Sequence, residues 1–152
     1  MQPTTILKKD HRLVSGLLMT LENTRRISST ARKSLFGQIH HNLSVHTEAE
    51  EEVVYPAWRN LLSGEDEGKV TKAYREHQMV KDLLREMSTM DVASDTFEGK
   101  LAQLKSSVHD HFQDEESEMF TLMKQRMSQA QLEELGKRLH NRNKELRAKV
   151  AA

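Results

Sequence analysis

Apolar residues recur along this 152-residue chain at alternating steps of three and four, the period of amphipathic helices. The first stripe runs through Leu7, His11, Val14, Leu18 and Leu21. A second follows Leu35, Ile39, Leu43, His46, Glu50, Val53 or Val54, Ala57 and Leu61. A third takes in Val70, Tyr74, His77, Val80 or Lys81, Leu84 and Met87. The fourth is Phe97, Leu101, Leu104, Val108, His111, Glu115, Met119 and Leu122, and a shorter run, Leu132, Leu135, Leu139 and Leu146, closes the chain. Helix-start and turn signals fall between the stripes: Thr4-Thr5, Ser28-Ser29-Thr30, the run Ser63 to Gly68, Asp95 with Glu98, and Ser128 with Gln131. The pattern predicts helices at about 4–27, 30–62, 67–90, 95–127 and 129–149, with ends good to roughly 2–4 residues. Pro56 is expected to kink or shorten the second helix near its end. Four long helices with short connections predict an all-α, antiparallel up-down four-helix bundle over about 4–127 with an additional C-terminal helix at about 129–149, all in one domain spanning 1–152.

Composition narrows the function. Six glycines, two prolines and 5% aromatics leave little material for strands and turns. Lys+Arg and Asp+Glu are balanced at 23 each, which argues against a nucleic-acid binder. No apolar run approaches the ~18–20 residues of a membrane span, and the first residues lack the apolar core of a signal peptide, so a cytoplasmic protein is expected. The absence of cysteine removes disulfides, thiolate nucleophiles, iron–sulfur clusters and Cys-ligated zinc. Chemistry is left to His, carboxylates and hydroxyls, and the inward stripes carry His or Glu where leucine would be ordinary: His11, His46, Glu50, His77, His111 and Glu115.

These six residues repeat. Asp10-His11 aligns with Glu76-His77 at an offset of 66 residues, and His46-x3-Glu50-Glu51 aligns with His111-x3-Glu115-Glu116 at 65. The aromatic nine residues beyond the His also matches, Tyr55 with Phe120. Each half thus reads as a helical hairpin with one His on its first helix and His-x3-Glu on its second. His and Glu at i and i+4 share a helical face about 6 Å apart along the axis, so one metal can take the imidazole while the carboxylate reaches another. Burying such groups unpaired costs several kcal/mol each, which favours a metal over a merely structural cluster. Six N/O donors without sulfur suit Fe or Mn, and imidazole also suits Zn and Cu.

On these motifs the chain resembles hemerythrin-type domains, the His-His-Glu cation-binding family, over about residues 5–125. The matching residues are Asp10-His11, His46-x3-Glu50-Glu51 with Val54-Tyr55-Pro56, Glu76-His77, and His111-x3-Glu115-Glu116 with Met119-Phe120. The resemblance implies a non-haem di-iron centre with an oxo or hydroxo bridge, held by His11, His46, Glu50, His77, His111 and Glu115, with no catalytic residue beyond these ligands. It also implies small-molecule partners, dioxygen, peroxide or nitric oxide, and no integral membrane association. Oxygen-carrying members have a further His one turn from the third-helix ligand, whereas His77 is flanked at that spacing by Ala73 and Lys81. If His11 and His46 hold one iron, His77 and His111 the other, and both carboxylates bridge, each iron keeps an open position. That expectation favours oxidative or nitrosative stress defence, with catalase-like peroxide breakdown as its enzymatic form, over oxygen transport. The alternative is an iron-handling, gas-binding or sensing module without turnover.

Asp10 and Glu76, each preceding a ligand His, are candidates to accept the outward N–H of a ligand His on a neighbouring helix. Glu51 and Glu116 are expected to flank the interface between helices, with a place behind a ligand His or as alternative ligands as the other readings. His40, His41, His109 and His140 fall off the central cluster and are expected at the surface. Met79, Met87, Met119, Met123 and Met127 are expected as core filler. The basic residues of the last helix, Lys137 to Lys149, read as a solvated face.

Overall fold

The computed structural model describes residues 1–62 and 64–151, with the side chains of Glu65, Val150 and Ala151 left aside. Helices are α1 (Pro3–Asn23), α2 (Ser29–Ala49), α3 (Tyr55–Leu61), α4 (Glu67–Met87), α5 (Asp95–Asp114), α6 (Phe120–Arg126) and α7 (Gln129–Ala151). A π-helical turn at Glu50–Val54 joins α2 to α3, and another at Glu115–Met119 joins α5 to α6. Each of these pairs is therefore one long rod with an inserted turn, and no strand occurs among the described residues. Four rods, α1, α2 with α3, α4, and α5 with α6, form an all-α bundle; α7 lies against α1, α2 and the first π turn.

The helix starts follow local chemistry with two corrections. Ser28 accepts from Ala31 N at 3.2 Å, and Ser128 and Gln131 form the expected reciprocal box, with bonds of 3.1 and 2.8 Å. The first helix is not capped by Thr4-Thr5: it begins at Pro3, whose ring suits a first helical position, and Thr4 is buried. The cap of α5 is Ser94 rather than Asp95, with Ser94 Oγ accepting from Phe97 N at 3.1 Å. Ser63, in the break expected between the second and third helices, lies outside the described residues. Pro56 sits in the first turn of α3, and the rod continues past it to Leu61.

Both π turns shift the apolar register. Tyr55 N–H bonds to Glu50 O, and Phe120 N–H to Glu115 O, five residues back instead of four. One extra residue per turn moves the following side chains round the rod. Buried positions become Tyr55 and Trp58 in place of the expected Ala57 and Leu61, and Phe120 and Met123 in place of Leu122. Pro56 is not the cause, because the second turn has the same form without a proline.

The apolar interior forms two clusters, one around Leu7, Val70, Phe120 and Leu135, the other around Leu18, Leu43, Leu84 and Leu104. Between them lies a buried polar layer of His and Glu side chains, fed by all four rods. Arg32 closes the second cluster: it is 1% exposed and donates to Val92 O at 3.0 Å, Leu21 O at 2.9 Å and the Glu98 carboxylate. The first cluster is sealed by α7, where Gly136 is required. A Cβ there would fall 1.9 Å from Met1 O, so the N-terminal backbone crosses the helix at its one bare position. Met79 departs from expectation at 50% exposure, since it faces out of α4, whereas Met87, Met119 and Met123 are buried.

Candidate metal centre

His11, His46, Glu50, His77, His111 and Glu115 converge in the polar layer, none more than 4% exposed. Their donor atoms fall into two overlapping groups, His11–His46–Glu50–Glu115 and Glu50–His77–His111–Glu115, with all atoms within 4.8 Å of one another in each group. The two carboxylates belong to both. Glu50 Oε1 lies 3.1 Å from His46 Nε2 and 3.2 Å from His77 Nε2. Glu115 presents Oε1 to His11 Nε2 and Oε2 to His111 Nε2, both at 3.3 Å. His77 Nε2 and His111 Nε2 stand 3.0 Å apart.

Each imidazole turns Nε2 inward and Nδ1 toward an acid on another helix. His46 Nδ1 lies 3.0 Å from Asp10 Oδ2, and His11 Nδ1 lies 3.1 Å from Glu116 Oε2. His111 Nδ1 and His77 Nδ1 face Glu76 and Glu51, both at the longer distance of 3.6 Å. Glu51 in turn accepts from Lys81 Nζ at 2.8 Å. Four His thus have four acids behind them, an arrangement that fixes the ring and leaves Nε2 free to bind. Asp10 sits at hydrogen-bond distance from its imidazole, as its sequence position suggests, whereas Glu76 faces His111 Nδ1 from just beyond that distance. Glu51 and Glu116 join them because they too sit one residue from a ligand position, on the rod next to the His they face.

Tyr55 is the residue that helical periodicity missed. Its hydroxyl donates to Glu115 Oε2 at 2.7 Å and lies 2.9 Å from His77 Nε2 and 3.3 Å from His111 Nε2. In a regular helix, five residues past Glu50 would carry it about 140° round the axis. The π turn returns it to the inward face. The match of Tyr55 with Phe120 in the repeat was the available signal. Phe120 instead stacks on the His11 ring, with Phe112 closer still at 3.8 Å between centroids. His109 and His140 are exposed, while His40 and His41 are half-buried beside Lys33 and Phe36, away from the cluster.

Electrostatics tie the cluster together. Burial opposes charge on His46, yet Glu50 and Asp10 hold its pKa well above the ordinary value. Burial likewise opposes charging His111, but Glu115 and Glu76 raise it to about 10. His77 is raised by Glu50 and Glu51 against the same penalty. Glu115 is held well below the usual carboxylate range by His111 and His11, despite burial. For Tyr55, burial and then the Glu50 and Glu115 charges push the phenol up, so it keeps its proton.

The donor set tests whether a cation fits. His11 Nε2, His46 Nε2, both Glu50 oxygens and Glu115 Oε1 are buried without any hydrogen bond of sound geometry, even where they approach within about 3 Å. Polar atoms left unpaired in this way and aimed at common points match what a metal would satisfy. Imidazole and carboxylate donors suit iron, manganese or zinc.

Residues 2–123 match the Hemerythrin HHE cation binding domain family. A DNA nickase of Nostoc sp. is 31% identical over 129 residues, which span 85% of this chain and 35% of that protein. An uncharacterized hemerythrin-like protein of Schizosaccharomyces pombe is 26% identical over 121 residues, 80% of this chain and 59% of the relative. The chain thus covers less than two thirds of the length of either. In fold it is similar to the crystal structure of a hemerythrin HHE cation binding domain-containing protein from Mycobacterium kansasii, with a TM-score of 0.82 and 24% identity over 98% of this chain and 89% of that one. Family match and converging His/Glu donors together place this chain in the hemerythrin HHE cation-binding family.

Proposed function

We propose that this protein is a non-haem di-iron protein that reacts with or binds dioxygen, peroxide or nitric oxide, and that it serves oxidative or nitrosative stress defence in the cytoplasm as one domain. The observation that carries this reading is the pair of four-donor groups sharing Glu50 and Glu115. His11 and His46 would hold one ion, His77 and His111 the other, and the two carboxylates would span both. When bound, iron supplies redox chemistry and a Lewis-acidic position for a small oxygen or nitrogen ligand.

The chain's own residues prepare the site. Asp10, Glu116, Glu51 and Glu76 orient the imidazoles so that Nε2 is presented inward. Phe112 and Phe120 stack on the His11 ring and give that side of the site an apolar wall. Tyr55 holds a proton on Oη, donated to Glu115 Oε2 and within 2.9 Å of His77 Nε2. Among the described residues it is therefore the hydroxyl placed to give a proton to a ligand at the second group, or to donate its oxygen to the ion there. Ala73, one turn from His77, supplies no further nitrogen, and Lys81 is engaged by Glu51.

Elemental analysis of protein produced with ample iron should give two irons per chain, and addition of hydrogen peroxide should evolve oxygen catalytically. One tightly held zinc with no second ion would sink the dinuclear reading. A second reading, iron handling or gas binding without turnover, is favoured by the near-complete burial of all six donors. Two irons with reversible gas binding and no oxygen evolution would select it.

A further inference from the structure

Six donors at most 4% exposed need a path by which an ion reaches them. Among the described residues, two cavities touch the cluster. The larger, about 490 Å³, is lined by His11 with the stacked Phe112 ring and Glu116, and it is bordered by Arg12 and His109, which bring a cationic guanidinium to it. The smaller, about 220 Å³, lies between α4 and the α5 rod and ends on His111 and Glu115. It is the one of the two lined by a candidate bridging carboxylate, Glu115, beside His111.

Its walls are acidic. Glu76, Asp114, Glu115 and Glu118 face it against Lys69 and Lys72, four carboxylates to two ammonium groups. A volume of about 220 Å³ leaves room for several waters, and so for a hydrated divalent ion. Each lysine is clipped to an acid at the mouth: Lys72 Nζ lies 3.3 Å from Asp114, and Lys69 Nζ 3.8 Å from Glu118. These pairs are about half exposed, and such surface pairs contribute little, so an arriving dication can displace either ammonium. Ala73 keeps the inner end open, where a larger side chain would fill it. Beyond the mouth, Glu76 stands behind His111 and Glu115 leads into both donor groups.

We infer that this acid-lined cavity is the uptake route for divalent metal, with Asp114 and Glu118 as the receiving carboxylates and Lys69 and Lys72 as displaceable plugs. The inference rests on the proposed metal centre and adds how that centre is filled.

Trp58, the single tryptophan, lines the cavity and is 4% exposed, so its fluorescence reports arrival of a quenching ion. Cobalt(II) would be mixed with metal-free full-length protein by stopped flow, and the final cobalt content measured. The double variant Asp114→Asn/Glu118→Gln should slow uptake about tenfold, within the range for removal of steering charges, and reach the wild-type cobalt content. Lys69→Met/Lys72→Met should speed it. Ser15→Leu, which fills the larger cavity, should leave the rate unchanged. Normal cobalt content with unchanged rates in both double variants, or slowing confined to Ser15→Leu, overturns the uptake route alone. Wild-type protein that takes up no cobalt overturns the metal centre and the route with it.

Discussion

Tyr55 and Phe120 follow the two π turns at equivalent positions, and of the two only Tyr55 carries an oxygen into the donor cluster. The internal repeat is symmetric in its His and Glu and asymmetric one turn later. The group built on His77 and His111 therefore has a protonated phenol beside it, and the group built on His11 and His46 has two apolar rings.

Tyr55→Phe should affect the two groups unequally. In metal-free protein it leaves Glu115 Oε2 without its 2.7 Å donor inside the core, at a cost of ~1–3 kcal/mol in urea unfolding. Two ions should still bind, with the ion of the His77–His111 group leaving first under a chelator. Simultaneous loss of both ions, or retention identical to wild type, would remove Tyr55 from the site.

Glu115→Ala should damage metal binding more than His11→Ala. The carboxylate touches His11 through one oxygen and His111 through the other, so its loss takes a donor from both groups. His11→Ala removes a donor from one. Metal content after desalting should fall below one ion per chain in the first variant and stay near one in the second. The reverse order would mean that Glu115 does not bridge.

Asp10→Asn and Glu116→Gln test the acids behind the imidazoles. Asp10 and Glu116 hold His46 and His11 through contacts of 3.0 and 3.1 Å. Each substitution should weaken metal affinity by ~10–100-fold while leaving the helical signal intact. Competition titration against a chelator of known affinity reads this out. An unchanged affinity in both would show that packing alone orients the rings.

Acidity should move metal-free stability and metal uptake in opposite directions. The His111 pKa of about 10 exceeds its ordinary 6.5, so its contribution is complete below pH 6.5 and is lost as pH rises toward 10. Glu115, held below its ordinary 4.5, contributes above that value and loses its contribution as pH falls further. These are two ends of one ion pair. The melting temperature of metal-free protein should therefore peak between about pH 4.5 and 6.5 and fall toward pH 10. Metal binding displaces protons from the imidazoles, so affinity should rise across the same interval. A metal-free melting temperature that climbs from pH 6.5 to 9 would contradict the ion pair.

The six candidate donor positions were legible because none of them lies beyond the first residue of a π turn. Counting by three and four along α1, α2, α4 and α5 is valid up to Glu50 and Glu115, and it places His11, His46, His77 and His111 correctly on the inward faces. Past those carboxylates the count still finds Val53, Val54 and Met119 and then slips by one residue. Ala57 and Leu122 looked buried, while Tyr55, Trp58, Phe120 and Met123 are the residues that pack inside. Nothing in Glu51-Glu52-Val53 or Glu116-Ser117-Glu118 announces a wider turn, because π geometry follows from the packing of the whole rod. Thr4-Thr5 misled for a different reason: Pro3 starts the helix first, and the threonine hydroxyls are not needed. Asp10 and Glu76 could be assigned from adjacency alone, whereas Glu51 and Glu116 required knowing which rods are neighbours.

The inserted turns also set what can be transplanted. A designer who copies His-x3-Glu onto an ideal straight helix inherits the imidazole and the carboxylate and points the tyrosine at solvent. The smallest portable cassette is the stretch from His46 to Tyr55 with its irregular backbone intact, and a scaffold that cannot tolerate a widened coil would reproduce the imidazole and carboxylate donors without the phenol.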